Sequence, residues 1–143
     1  MKDGVSTILF DFDGTLVFHE PDSFDLISAY CAEIGQPLSP DAEHQGRRKR
    51  HEYFVDPLIR QRLHNLSRED FWRHFNGHLL KGMDIRGDLD RQATELTRRF
   101  MEAEFAYHCP EVGCRTLTAL RDRGYELGLI TNRDNVERFY ELL

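Results

Sequence analysis

The sequence predicts an α/β fold in which a parallel-sheet core is interrupted by a block of helices. Three observations lead there. The run Thr7-Ile8-Leu9-Phe10 is apolar without polar alternation and ends in two carboxylates, Asp11 and Asp13. Helical patterning without one convincing strand then extends from Val17 to Phe105. Beyond Pro110 the pattern changes again, to one helix and a second apolar strand ending in Thr131-Asn132.

The first run reads as a strand buried on both faces, as in a parallel sheet covered by helices. Side chains alternate along a strand, so Asp11 and Asp13 project to one side of its carboxyl end and Phe12 to the other. Gly14 permits a tight exit, and Thr15 adds a hydroxyl beside the acids. Three readings compete for the pair. A calcium loop needs glycine at its sixth position and glutamate at its twelfth, and counting from Asp11 finds Leu16 and Asp22 there. That reading fails. Two solvated acids ending a strand are the structural alternative, and catalytic carboxylates are the third.

Downstream, Asp22 or Ser23 can cap a helix whose apolar residues Phe24, Ile27, Tyr30, Cys31 and Ile34 recur at helical spacing, with Gly35 and Pro37 as its stop. Ser39-Pro40 opens a polar, basic helix to about Val55, and Pro57 interrupts before Leu58, Ile59 and Leu63. Ser67 to Asp70 has capping-box spacing filled by Asp, ahead of an apolar face of Phe71, Trp72, Phe75 and Leu79. Gly82 and Gly87 punctuate the chain before a helix carrying Leu89, Ala93, Leu96, Phe100 and Ala103. Glu111 to Arg123 is a further helix with Val112, Leu117 and Leu120 facing inward. Gly124 ends it, and Tyr125 to Ile130 is the second strand.

Thr131-Asn132 stands at a strand's carboxyl end, where open parallel sheets place ligands. A threonine hydroxyl and adjacent amides suit a phosphate oxygen. The same residues can equally cap a helix from Asp134 to Leu143.

Composition bounds the function. With 143 residues, 40% hydrophobic and 31% charged, the chain is ordinary for a globular protein. No stretch approaches the ~18 apolar residues of a membrane span, and Met1-Lys2-Asp3 runs into the first strand without a signal-peptide pattern, so a cytoplasmic chain with no membrane partner is expected. Cys31, Cys109 and Cys114 read as reduced thiols. Cys109 and Cys114 beside His108 lack a second close pair to complete a tetrahedral metal site. A net charge of −6 argues against nucleic acid as a partner. The contrary run Arg47-Arg48-Lys49-Arg50-His51 reads as a solvated helix face, with a contact to an anionic substrate or RNA as the alternative.

Asp11-Phe12-Asp13-Gly14-Thr15-Leu16 after an apolar strand closely resembles the first signature of the haloacid dehalogenase-like (HAD-like) hydrolases, most of whose members are magnesium-dependent phosphatases. Ile130-Thr131 resembles the second signature, an apolar strand closed by Thr or Ser. The helical insertion between them resembles the α-helical cap of phosphoglycolate-phosphatase-like members. The resemblance implies a partial Rossmann-like parallel-sheet core from residues 1–18 and 106–143, with a cap over 19–105. It implies that Asp11 is the nucleophile of an aspartyl-phosphate mechanism and Asp13 the general acid and base. Thr131 would hold phosphate with Asn132 as its neighbour. Mg2+ would be held by the Asp11 carboxylate and the Asp13 backbone carbonyl, and the substrate would be a small phosphorylated metabolite. Phosphomutase and dehalogenase chemistry are the alternatives within the superfamily, and a non-catalytic binding or regulatory module on the same scaffold is the alternative outside it.

The family pattern continues with a lysine after the second signature and a later acidic residue or pair for the metal. No lysine follows Lys81. The chain therefore reads as the N-terminal portion of a longer hydrolase and is expected to be a poor phosphatase by itself. Thr7 to Phe10 would be an exposed apolar edge through which two copies could pair.

Overall fold

The computed structural model describes residues 4–63 and 65–131. Its elements run β1 (Thr7–Asp11), β2 (Phe18–Glu20), α1 (Ser23–Glu33), α2 (Pro40–Val55), α3 (Pro57–Leu63), α4 (Arg68–Gly82), α5 (Leu89–Glu102), β3 (Ala106–His108), α6 (Glu111–Asp122) and β4 (Glu126–Ile130). The mixed α/β class with a small parallel sheet is as expected. The chain divides into two compact units, Met1–Glu20 with Phe105–Leu143, and Pro21–Glu104.

In the first unit β1 and β4 pair in parallel, with Thr7 opposite Glu126, Leu9 opposite Gly128 and Asp11 opposite Ile130. Thr7 also donates its hydroxyl to Glu126 Oε2 at 3.1 Å. Helix α6 is the crossover that a parallel pair requires. Burial of the strands is one-sided, which corrects the expectation of a strand covered on both faces. Ile8, Phe10 and Leu127 are half-buried, whereas Leu9 is 58% and Ile130 56% exposed. Within α6, Leu117 and Leu120 are half-buried, but Val112 is exposed and does not face inward. Paired residues of a parallel ladder share a face, so Leu9 and Ile130 lie together on the open side.

A second correction concerns the stretch after Leu16, which was expected to hold no strand. Phe18–Glu20 forms β2 and pairs antiparallel with β3, joining Phe18 to His108 and Glu20 to Ala106. Edge-on stacking of His19 on Phe105 and Tyr107, with ring centroids 4.8 and 5.8 Å apart, fills the space beside this ribbon. Three-residue strands carry too little periodicity to be seen in sequence. Through this pairing, the segments on either side of the helical block return to the first unit.

The second unit is helical. Phe24, Ile27, Tyr30 and Cys31 of α1 meet Tyr53 of α2, Phe75, Leu79 and Leu80 of α4, and Ala93 and Leu96 of α5 in one buried cluster closed by Met83 and Ile85. Asp22 is the cap of α1: it accepts from the Phe24 N–H at 2.7 Å, while its own N–H donates to Asp25. Ser67 caps α4 differently from a full capping box, since its hydroxyl accepts from the Asp70 N–H and donates to the Asp70 carboxylate at 2.7 Å. One buried polar contact ties α4 to α5, the Asn76 amide donating to the Thr97 hydroxyl at 2.9 Å. No described helix is long and apolar enough to cross a membrane.

Candidate active site

The site is built by the end of β1 and the turn that follows. Strand geometry persists through Asp11, one residue beyond the apolar run. Phe12 then turns inward and is 2% exposed, which leaves Asp11 and Asp13 exposed on either side of it. The Phe12 carbonyl accepts from the N–H groups of Leu16 and Val17, each at 3.0 Å, and the Gly14 N–H donates back to the Val17 carbonyl at 2.8 Å. The Phe12 and Val17 carbonyls thus close the loop. Its conformation needs φ of +75° at Gly14, a left-handed value that side-chain-bearing residues seldom adopt. Leu16, 8% exposed, anchors the far end of the turn.

Thr15 is brought back over the strand end, and its hydroxyl donates to Asp11 Oδ2 at 3.0 Å. This contact orients the Asp11 carboxylate and occupies one of its oxygens. Ladder register supplies the other side of the site. Asp11 lies opposite Ile130, so Thr131, half-buried, is the next residue out of the neighbouring strand at the same carboxyl end of the sheet. Asn132 and the helix expected from Asp134 to Leu143 lie outside the described residues.

The donor set suits a hard cation. Mg2+ is commonly bound by one or two carboxylates together with substrate phosphate and several waters, and Asp11 and Asp13 offer oxygens of that kind. No cluster of three or more His, Cys, Asp or Glu side chains is assembled for a metal among the described residues, the Cys109, Cys114 and His108 neighbourhood included.

The basic run of α2 is held by acids of its own unit. Arg47 bridges Glu43 at 2.8 Å and Asp22 at 3.3 Å, Arg48 and Lys49 both reach Glu52, and the Arg47 and Arg50 guanidinium groups lie over the Phe24 ring. Burial works against a charged Asp22 carboxylate, but the Phe24 N–H bond and Arg47 outweigh it and hold its pKa below the usual value. The backbone of the turn after β1 contributes to the site as much as its side chains do. Gly14 was its visible signal, but the convergence of N–H groups on the Phe12 carbonyl leaves no mark in side-chain identity.

An α/β core with paired carboxylates at the end of its first strand, and a hydroxyl at the end of the adjacent parallel strand, defines a class of hydrolase scaffold. The haloacid dehalogenase-like hydrolase family model matches residues 5–142, and the chain belongs to that family. No curated protein matches it.

Proposed function

We propose that the chain carries the nucleophile of a Mg2+-dependent phosphoester hydrolase acting on a small phosphorylated metabolite in the cytoplasm. The observation that supports this best is the register of β1 on β4. It sets Asp11, held by Thr15, and Thr131 at one end of one parallel pair. Membership of a hydrolase family supports the reaction class.

In this reading an Asp11 carboxylate oxygen attacks phosphorus while the bond from phosphorus to the leaving oxygen breaks. Asp13 gives its proton to the departing alkoxide. Asp13 then takes a proton from water, whose oxygen attacks the aspartyl-phosphate and releases Asp11 and inorganic phosphate. One difficult displacement becomes two easier ones. The Thr15 hydroxyl keeps one Asp11 oxygen engaged so that the other is presented. The Thr131 hydroxyl donates to a phosphoryl oxygen, a role that Asn132 would assist. Mg2+, held by the Asp11 carboxylate and the Asp13 carbonyl, would neutralise charge between the anionic nucleophile and the anionic substrate.

The test is hydrolysis of a generic phosphate monoester with and without Mg2+. Any turnover should vanish both on chelation and in Asp11→Asn. Turnover equal in Asp11→Asn and wild type would remove Asp11 from the mechanism.

A further inference from the structure

Two cysteines outside the proposed site are arranged for chemistry with each other. Cys109 follows β3 directly, and Cys114 lies in the first turn of α6. The Cys114 thiol donates to the Cys109 carbonyl at 3.8 Å, and the Cys109 thiol is folded back toward the helix, 3.7 Å from the Pro110 carbonyl. Room for that sulfur comes from Gly113. A Cβ at Gly113 would stand 3.2 Å from Cys109 Sγ, closer than most side chains tolerate. Both sulfurs thus lie at the one turn, and the Cys114 thiol, ahead of burial, pushes the Cys109 thiol up. Cys114 is exposed and Cys109 half-buried, whereas Cys31 is fully buried in the helical unit.

We propose that Cys109 and Cys114 form a reversible dithiol–disulfide pair that staples the β3–α6 turn, with a low-molecular-weight disulfide as oxidant. The exposed Cys114, as thiolate, attacks one sulfur of the oxidant, breaking its S–S bond and releasing one small thiol. The Cys109 sulfur, losing its proton to solvent, then attacks Cys114 Sγ, breaks the mixed disulfide and releases the second small thiol. Two protein thiols are oxidised and one small disulfide is reduced to two thiols. Cys114 comes first because it is the accessible one. Cys109, half-buried behind it at the same turn, is the resolving group.

The consequence is local to the first unit. The closed ring spans residues 109–114 and fixes the start of α6 to the end of β3, the strand whose His108 pairs with Phe18 of β2. Amide exchange in the first turn of α6 should slow on oxidation.

The experiment equilibrates the reduced full chain in glutathione redox buffers, using oxidised glutathione as the probe, and reads intact mass, peptide maps and amide exchange. Wild type should lose two hydrogens, yield a single Cys109–Cys114 cross-link whose extent is independent of protein concentration, and leave Cys31 reduced. Cys109→Ser should instead accumulate glutathione on Cys114, and Cys114→Ser should take up glutathione at least about tenfold more slowly than Cys109→Ser. A stable glutathione adduct on Cys114 of wild type, a disulfide involving Cys31, or a cross-link between chains would each overturn the proposal. The wild-type result stands independently of either variant's folding.

Discussion

Gly14 carries the local cost of the turn that presents the acids. A Cβ placed there would meet no atom within 4 Å, so the requirement is one of backbone conformation and not of space. A residue with a side chain would pay about 1–2 kcal/mol for the left-handed geometry. Thr15 lies in the turn after β1 and Thr131 directly follows β4, and their surroundings differ. Thr15 is committed to Asp11 inside the chain. Thr131 stands at the sheet's carboxyl end, and in the proposed function it donates to substrate. Thr131→Val keeps the shape and removes the hydroxyl, and turnover should fall by ~1 to 3 kcal/mol of lost charge-assisted hydrogen bonding while the thermal midpoint stays near wild type. Kinetics unchanged from wild type would return Thr131 to the role of a helix cap.

At the scale of elements, the sequence was most informative where periodicity was strong. The face of α1, from Phe24 to Cys31, and the Ala93 and Leu96 stripe of α5 were legible because apolar residues recur at helical spacing and end up in the core. Helix α2 hid its contribution. Its polar sequence gives little sign that Tyr53 is 1% exposed, or that Gly46 is where Met83 and Phe24 approach, with a Cβ there falling 2.6 Å from the Met83 sulfur and 2.8 Å from the Phe24 ring. Such close approach depends on the partner helix, which no local pattern records. Tyr53 leads to a pair of histidines on α4. Its hydroxyl shares a hydrogen bond with His74 Nδ1 at 2.8 Å, and its ring packs on His78, whose Nε2 is buried without a hydrogen-bond partner among the described residues. Burial lowers the His78 pKa, Lys49, His74 and Lys81 lower it further, and Glu52 opposes them. The unfolded chain therefore binds a proton at His78 more readily than the folded one, and stability present above about pH 6.5 is lost as pH falls below it. The urea midpoint should drop between about pH 7.5 and 5.5, and the drop should be smaller in His78→Leu. Equal drops in the two proteins would place the acid sensitivity elsewhere. Carboxylates lowered by arginines, such as Glu95 at about 2, enter only at lower pH.

For the molecule as a whole, the order of strand, helical block, helix and strand was legible, and with it the carboxylate pair at the first strand end. The covering of the sheet was not. An unbroken apolar run suggests burial on both faces, yet Leu9 and Ile130 are more than half exposed, because burial depends on what packs above a strand and not on the strand itself. Val5, 72% exposed, extends the same apolar surface. A second copy of the chain is the occupant we propose for it, through strand pairing at β1. The exposed row there is Val5, Thr7, Leu9 and Asp11, so its charge stands at the carboxyl end of the strand and its other members are uncharged. Light scattering should then give a mass above that of the 16.8 kDa monomer, and Leu9→Lys should shift it toward the monomer. A monomer in wild type, or a dimer indifferent to Leu9→Lys, would rule that edge out.

The claim on which the functional account turns is that Asp11 becomes covalently phosphorylated. Rapid-quench labelling with a radioactive phosphoester, followed by peptide mapping, tests it most directly. A transient acylphosphate label is expected on the peptide containing Asp11, absent in Asp11→Asn and persisting longer in Asp13→Asn, where proton transfer to and from the reacting oxygens is impaired. Aspartate-type label that survives in Asp11→Asn would contradict the claim.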